Sequence, residues 1–146
     1  MARVFAQEDG NISTRPIVTS RSVSYTDIDL TFAKKPSGDI FKKTDAAAVK
    51  QAVKNLLLTN TAEKPFDPLF GGDLNRFLFS LDEEFDEVEI EERVQTAISQ
   101  YERRAVVRDV RAILNPSSNN VDITVKFQVV NTLEDVELTV SLTRLR

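Results

Sequence analysis

At 146 residues, with a net charge of −4 and neither Cys nor His, the chain is long enough for one domain that buries about two-thirds of the surface its unfolded form exposes. The missing thiols and imidazoles exclude a disulfide frame, a cysteine nucleophile, a histidine base and the usual zinc sites, leaving only all-oxygen ligands for any metal. The acidic balance gives no overall basic footprint for nucleic acid, no apolar run is long enough to cross a bilayer, and the opening "MARVFAQEDGNISTRP" lacks the apolar core of a secretory signal, so a soluble protein made in the cytoplasm is expected.

Residues 1–22 are polar and show no sustained period, which predicts a flexible or partner-bound tail ahead of a single domain over residues 23–146. In "DIDLTF", Ile28, Leu30 and Phe32 alternate with polar residues, the pattern of a half-buried strand. "KKPSGDIF" reads as a turn, with Pro36 pre-setting one dihedral and Gly38 free to take a positive φ. Thr44 or Asp45 can then cap a helix over "AAAVKQAVKNLLL", whose Val49, Ala52, Val53, Leu56 and Leu57 recur at helical spacing. Two prolines and two adjacent glycines in "TNTAEKPFDPLFGGD" end that helix, and Phe66, Leu69 and Phe70 are expected to pin the loop as apolar anchors. Leu74, Phe77, Leu78 and Leu81 predict a short second helix.

The run "DEEFDEVEIEE", residues 82–92, is strongly acidic, and carboxylates there suit the partial positive charge of a helix N-terminus. In the helix that follows, Ile90, Val94, Ala97, Ile98 and Tyr101 form one apolar stripe. Past Tyr101 the period changes to two: "AVVRDVRAIL", "VDITVKFQVV" and "VELTVSLTRL" read as strands, joined by "NPSSNN" and "NTLED" as hairpin connections. Val121, Ile123, Val125, Phe127 and Val129 share one face, as do Val136, Leu138, Val140 and Leu142. The fold class is therefore α+β: a single domain with an antiparallel C-terminal β-meander and an early strand, packed against about three helices.

Catalytic parts are few. Without Cys or His, what remains is a pair of carboxylates of the kind that cleaves glycosides, and the acidic run offers no reason to choose any two. "GGD" at residues 71–73 lacks the preceding strand and following Lys-Ser/Thr of a phosphate loop. The four Arg between residues 103 and 111 are interleaved with Ala and Val, not with aromatics that would stack on bases. "YERR" has two readings. In one, Arg103 and Arg104 sit at the negative end of the helix and Glu102 makes a surface ion pair worth under about 1 kcal/mol. In the other, the planar guanidinium forks hold carboxylates or carbonyls of a partner.

In order and spacing, "YTDIDLTFAKKPSGDI", "DAAAVKQAVKNLLLTNTAEKPFDPLFG" and the helix ending "AISQYERRAVV", followed by alternating strands, resemble the contractile-tail baseplate wedge family. That family includes phage sheath-initiator subunits, some described as lysozyme-like, and the related baseplate subunit of type VI secretion systems. The resemblance covers about residues 25–146. Members carry a Glu-Pro-Arg motif that Glu102 and Arg104 match, with Arg103 in place of the proline. A proline would have stiffened the chain and removed an amide donor, so the local turn is expected to differ.

The resemblance implies that Glu102, Arg103 and Arg104 dock on the helical core bundle of the wedge proteins. It implies too that the last strand, through Val136, Leu138, Val140, Leu142 and Arg144, exchanges strands with the first ring of tail-sheath subunits. The implied role is a structural, non-enzymatic subunit of the virion tail baseplate, assembled in the host cytoplasm in six copies about the tail axis. Tail-tube or hub proteins are further candidate partners, and no cofactor, nucleic acid or membrane is implied. The alternative is a peptidoglycan hydrolase using paired carboxylates, which the lysozyme-like description of the family suggests.

Overall fold

In the computed structural model, which describes residues 24–79 and 87–143, the elements run β1 (Thr26–Ile28), β2 (Lys42–Thr44), α1 (Asp45–Leu58), α2 (Leu74–Phe79), α3 (Glu87–Tyr101), β3 (Ala105–Asn115), a 3₁₀ turn (Pro116–Ser118), β4 (Asn120–Val129) and β5 (Asp135–Thr143). The fold is α+β. The expected N-terminal tail, the acidic stretch at residues 82–86, Leu81 and Arg144 lie outside the described residues.

Alternation in β4 and β5 does what its period demands: Val121, Ile123, Val125, Phe127 and Val129 are buried, as are Leu138 and Val140. The strands form an antiparallel meander in the order β3-β4-β5, with Val125 opposite Leu138 and Ile123 opposite Val140. β3 is less regular. Its inward residues are Ala105 and Val107, then Val110, Ala112 and Leu114, a change of parity that would turn half the strand inside out. A register shift between Val107 and Asp109 absorbs the extra residue as a bulge and keeps both halves facing the core.

Helix α3 lies along β3, while α1 crosses β4 and β5 and also touches α3. Their stripes, Val49, Val53, Leu56 and Leu57 from α1 and Ile90, Val94, Ala97 and Ile98 from α3, close the core over one sheet face. Burial of this apolar surface is the main favourable term in the fold, at about 25 cal/mol per Å² removed from water.

The early strand is shorter than its alternation predicts. β1 ends at Ile28, and Ile28, Leu30 and Phe32 are all exposed. The cause is Asp29, whose carboxylate accepts a bond from the Thr31 amide at 3.0 Å while its carbonyl accepts one from Phe32 at 3.1 Å, with Phe32 at φ 52°. A short acidic side chain that bonds its own backbone two residues on makes a turn in place of a ladder. β1 instead pairs with β2, a three-residue strand not assigned from the sequence.

Two further expectations are corrected. Thr44 occupies the N-cap of α1 but makes no side-chain cap bond, and Asp45 turns away from the helix to accept bonds from the Tyr25 amide at 3.0 Å and Asn131 Nδ2 at 2.9 Å. Phe66 and Leu69 do not anchor their loop: Phe66 is fully exposed and Leu69 largely so. Phe70 alone packs inward, edge-on to Tyr101 with ring centroids 5.1 Å apart. Tyr101 also donates its hydroxyl to the Leu69 carbonyl at 2.8 Å. Gly71, at φ 130°, closes the loop where a Cβ would stand 2.4 Å from the Thr59 carbonyl oxygen.

Candidate functional site

Helix α3 ends because Glu102 and Ala105 bracket a turn. The Glu102 amide still donates to Ile98 at 2.8 Å, and the Ala105 amide donates back to the Glu102 carbonyl at 3.1 Å. Arg103 therefore sits at the second position of a four-residue turn, where proline is favoured for its φ and where no amide donor is needed. The turn closes without the proline.

The side chains then meet across it. Arg104 donates from Nε to one carboxylate oxygen of Glu102 at 2.7 Å and from Nη2 to the other at 2.6 Å, and its amide adds a third bond at 3.2 Å. This is a two-pronged, charge-assisted pair, the strong class of hydrogen bond. The pair is part-buried, with side-chain exposures of 10% for Glu102 and 30% for Arg104. Hydrogen bonding to Glu102 raises the pKa of Arg104, against the opposing effect of burial. The guanidinium lies 5.5 Å from the centre of the Tyr25 ring, and the Arg104 carbonyl accepts the amide of Val130 at 3.0 Å. The junction thus ties the end of α3 to the end of β4 and to the segment before β1. Arg103 points to solvent.

The sheet has two edges, and they differ. Along β3 the outward amides of Ala112 and Leu114 donate to the carboxylates of Glu91 at 3.0 Å and Glu87 at 3.1 Å. These glutamates stand one turn apart on α3, so the helix blunts that edge. Along β5 no other described strand pairs with the outer side. Alternation across the ladder fixes which groups face out. With Ala112 and Leu114 facing away from β4, the parity carries through the register so that Val121, Ile123, Val125 and Phe127 bond toward β5. Their partners Val136, Leu138, Val140 and Leu142 point their amides and carbonyls back to β4. The outward groups belong to Asp135, Glu137, Thr139, Ser141 and Thr143.

The residues singled out in the sequence are therefore placed as follows. Glu102 and Arg104 are brought together at the junction, with Arg103 beside them. Leu138 and Val140 are buried in the chain's own core and Val136 and Leu142 pack against it, so β5 offers a partner chiefly the backbone between them, with Leu138 reaching the groove beside it. Three polar residues went unnoticed. Glu87 and Glu91 read as acidic first-turn residues, although their i, i+4 spacing beside the Ile90–Val94 stripe was a signal. Gln51 is buried on an apolar helix face, donating to the Ile28 carbonyl at 2.8 Å and so holding β1 against α1; nothing local marks it.

Among the described residues every resolved carboxylate shift is downward: Asp29 by the Thr31 amide, Asp45 by Asn131, Glu63 by the Asn60 amide and Asp122 by the Ser141 hydroxyl. A glycosidase acid needs the opposite, a carboxyl raised by an apolar pocket. Among the described residues no group of three or more carboxylates is placed to hold a metal.

The family model of the baseplate wedge protein gp25 matches residues 43–134. The baseplate wedge protein gp25 of Enterobacteria phage T4 is 25% identical over 113 residues, 77% of this chain and 86% of that protein. Among solved structures, a putative tail lysozyme from Geobacter sulfurreducens superposes with a TM-score of 0.58 at 20% identity, covering 67% of this chain and 89% of that one. A chain of the anti-feeding prophage baseplate does so with a TM-score of 0.56 at 17% identity, covering 82% and 86%. At these identities the two structures establish a shared fold.

Proposed function

The chain belongs to the baseplate wedge protein gp25 family, and from that premise we propose that it docks on the wedge core bundle through the Glu102–Arg104 junction and templates the first sheath ring by strand addition at β5. It is a structural component of a contractile-tail baseplate, situated in the virion tail and assembled with other baseplate proteins.

The observation that carries strand addition is the contrast between the edges. β3 has two of its outward amides, those of Ala112 and Leu114, capped by Glu91 and Glu87, and β5 has a row of outward amides and carbonyls from Asp135 to Thr143 with no described strand beside them. Natural sheets blunt the edges they do not use, and an unblunted edge is a template for a foreign strand. Main-chain bonds supply the attachment, and the pleat sets its register.

Proline placed where an amide faces outward is tolerated at an edge yet removes a donor and crowds an arriving backbone. Thr139→Pro is therefore expected to leave the isolated fold intact by circular dichroism and to enter baseplates, which then fail to nucleate sheath under electron microscopy. Normal sheath on baseplates carrying this variant would refute templating at this edge.

A hydrolytic role has only the likeness to a putative tail lysozyme behind it, and that likeness is of fold. Both oxygens of the buried carboxylate Glu102 are held by the prongs of Arg104, so neither is presented to a substrate. A zymogram with the purified chain is expected to show no clearing of peptidoglycan; clearing lost on one carboxylate substitution would establish the enzyme instead.

A further inference from the structure

Beside the outer edge of β5 lies a groove of about 450 Å³, bounded by β5, α1 and the turn after β1. Leu138, Ala47 and Leu30 give it an apolar floor, and Lys43, Lys50 and Lys54 stand around it. Lys50 and Lys54 are one helical turn apart on one face of α1. Lys43 is tied to Asp29 at 3.4 Å, and that carboxylate also accepts the Thr31 amide. Lys50 and Lys54 are exposed and make no ion pair among the described residues. Among the described residues Asp29 is the only acidic one at the groove and is thus engaged, which leaves two cations there to meet a newcomer.

A strand added to β5 continues the pleat, so alternate side chains fall on the face of Leu138 and Val140, over this groove, and the rest on the face of Glu137, Thr139 and Ser141. The second face is electrically mixed, with Arg108 and Lys126 close to Asp135 and Glu137. Discrimination by charge therefore lies on the groove side. The geometry points to an arm of defined chemistry: an extended segment whose groove-facing residues are apolar over Leu138 and acidic where they pass Lys50 and Lys54. This rests on strand addition at β5 and goes beyond it, by stating which arms that edge selects. The main-chain ladder holds any strand; the lysines reject a basic one and retain an acidic one.

The test uses the full chain, labelled with ¹⁵N, and three synthetic ten-residue peptides that alternate Thr with groove-side residues of Glu-Val-Glu, Gln-Val-Gln or Lys-Val-Lys type. The Glu peptide is expected to bind about tenfold more tightly than the Lys peptide, the Gln peptide falling between, with shifts concentrated at the amides of Glu137, Thr139 and Ser141. The ratio is expected to shrink to about twofold or less in the Lys50→Gln/Lys54→Gln variant and in about 0.5 M salt. Equal binding of all three peptides at β5, or a preference that survives loss of both lysines, would overturn the selectivity while leaving strand addition standing. If no peptide moves the β5 amides, strand addition itself fails and the selectivity falls with it.

Discussion

A carboxylate shielded from water needs a partner, and Glu102 finds one two residues along its own chain. The fork from Arg104 matches both oxygens, so neither a surface ion pair nor a partner-held guanidinium describes the free protein. The pair is a built-in fastener between helix and sheet, and its truncation should be felt in the isolated chain. Glu102→Ala would strand a guanidinium that is under one-third exposed and could only partly reach water. The expected loss is about 2–3 kcal/mol in urea unfolding, with an unchanged slope. An unaltered midpoint would show the pair to be ornamental. Since Glu102 also shapes the proposed docking surface, baseplate incorporation of that variant must be judged at a temperature where it remains folded.

Between elements, the relation of α3 to β3 is more than apolar packing. The helix is set along the strand so that Glu87 and Glu91 reach the outward amides of Leu114 and Ala112, which no neighbouring strand satisfies among the described residues. An orphaned buried amide is costly, and an orphaned exposed one invites pairing. Glu87→Ala combined with Glu91→Ala should speed hydrogen exchange at both amides by about tenfold or more and destabilise the chain by about 1–3 kcal/mol. Exchange as slow as in the parent chain would show that packing by α3 alone protects the edge.

Across the whole molecule, several carboxylates act as struts at the surface. Asp45 joins the segment before β1 to the β4–β5 connection through Tyr25 and Asn131, Asp29 shapes the turn after β1, Glu63 braces the loop after α1, and Asp122 links β4 to β5 through Ser141. All four have their pKa lowered by those bonds, so each is protonated more readily in the unfolded chain than in the folded one. The stability they contribute is complete above the ordinary carboxylate range, near about pH 4, and is lost as pH falls through their lower folded values. Thermal unfolding temperature should accordingly be flat from about pH 7 to about pH 5 and fall steadily toward about pH 2. A melting temperature that holds or rises on acidification would contradict this account.

The sequence by itself determined the stripes of α1 and α3, the alternation of β4 and β5, and the α+β class, because these depend on a period that each segment carries internally. It also held the bulge in β3, as a change of parity legible only beside the partner strand. What the tertiary structure decided is where polar groups without a local signal find their bonds. Asp45 leaves its helix for Asn131, which lies 86 residues away. Asp29 outcompetes the strand pattern of "DIDLTF". Gln51 enters the core to hold β1, and Glu87 and Glu91 close one edge of the sheet. Apolar burial is non-directional and shows in spacing, whereas a hydrogen bond requires a donor and an acceptor to meet, and distant partners meet only once the chain has folded.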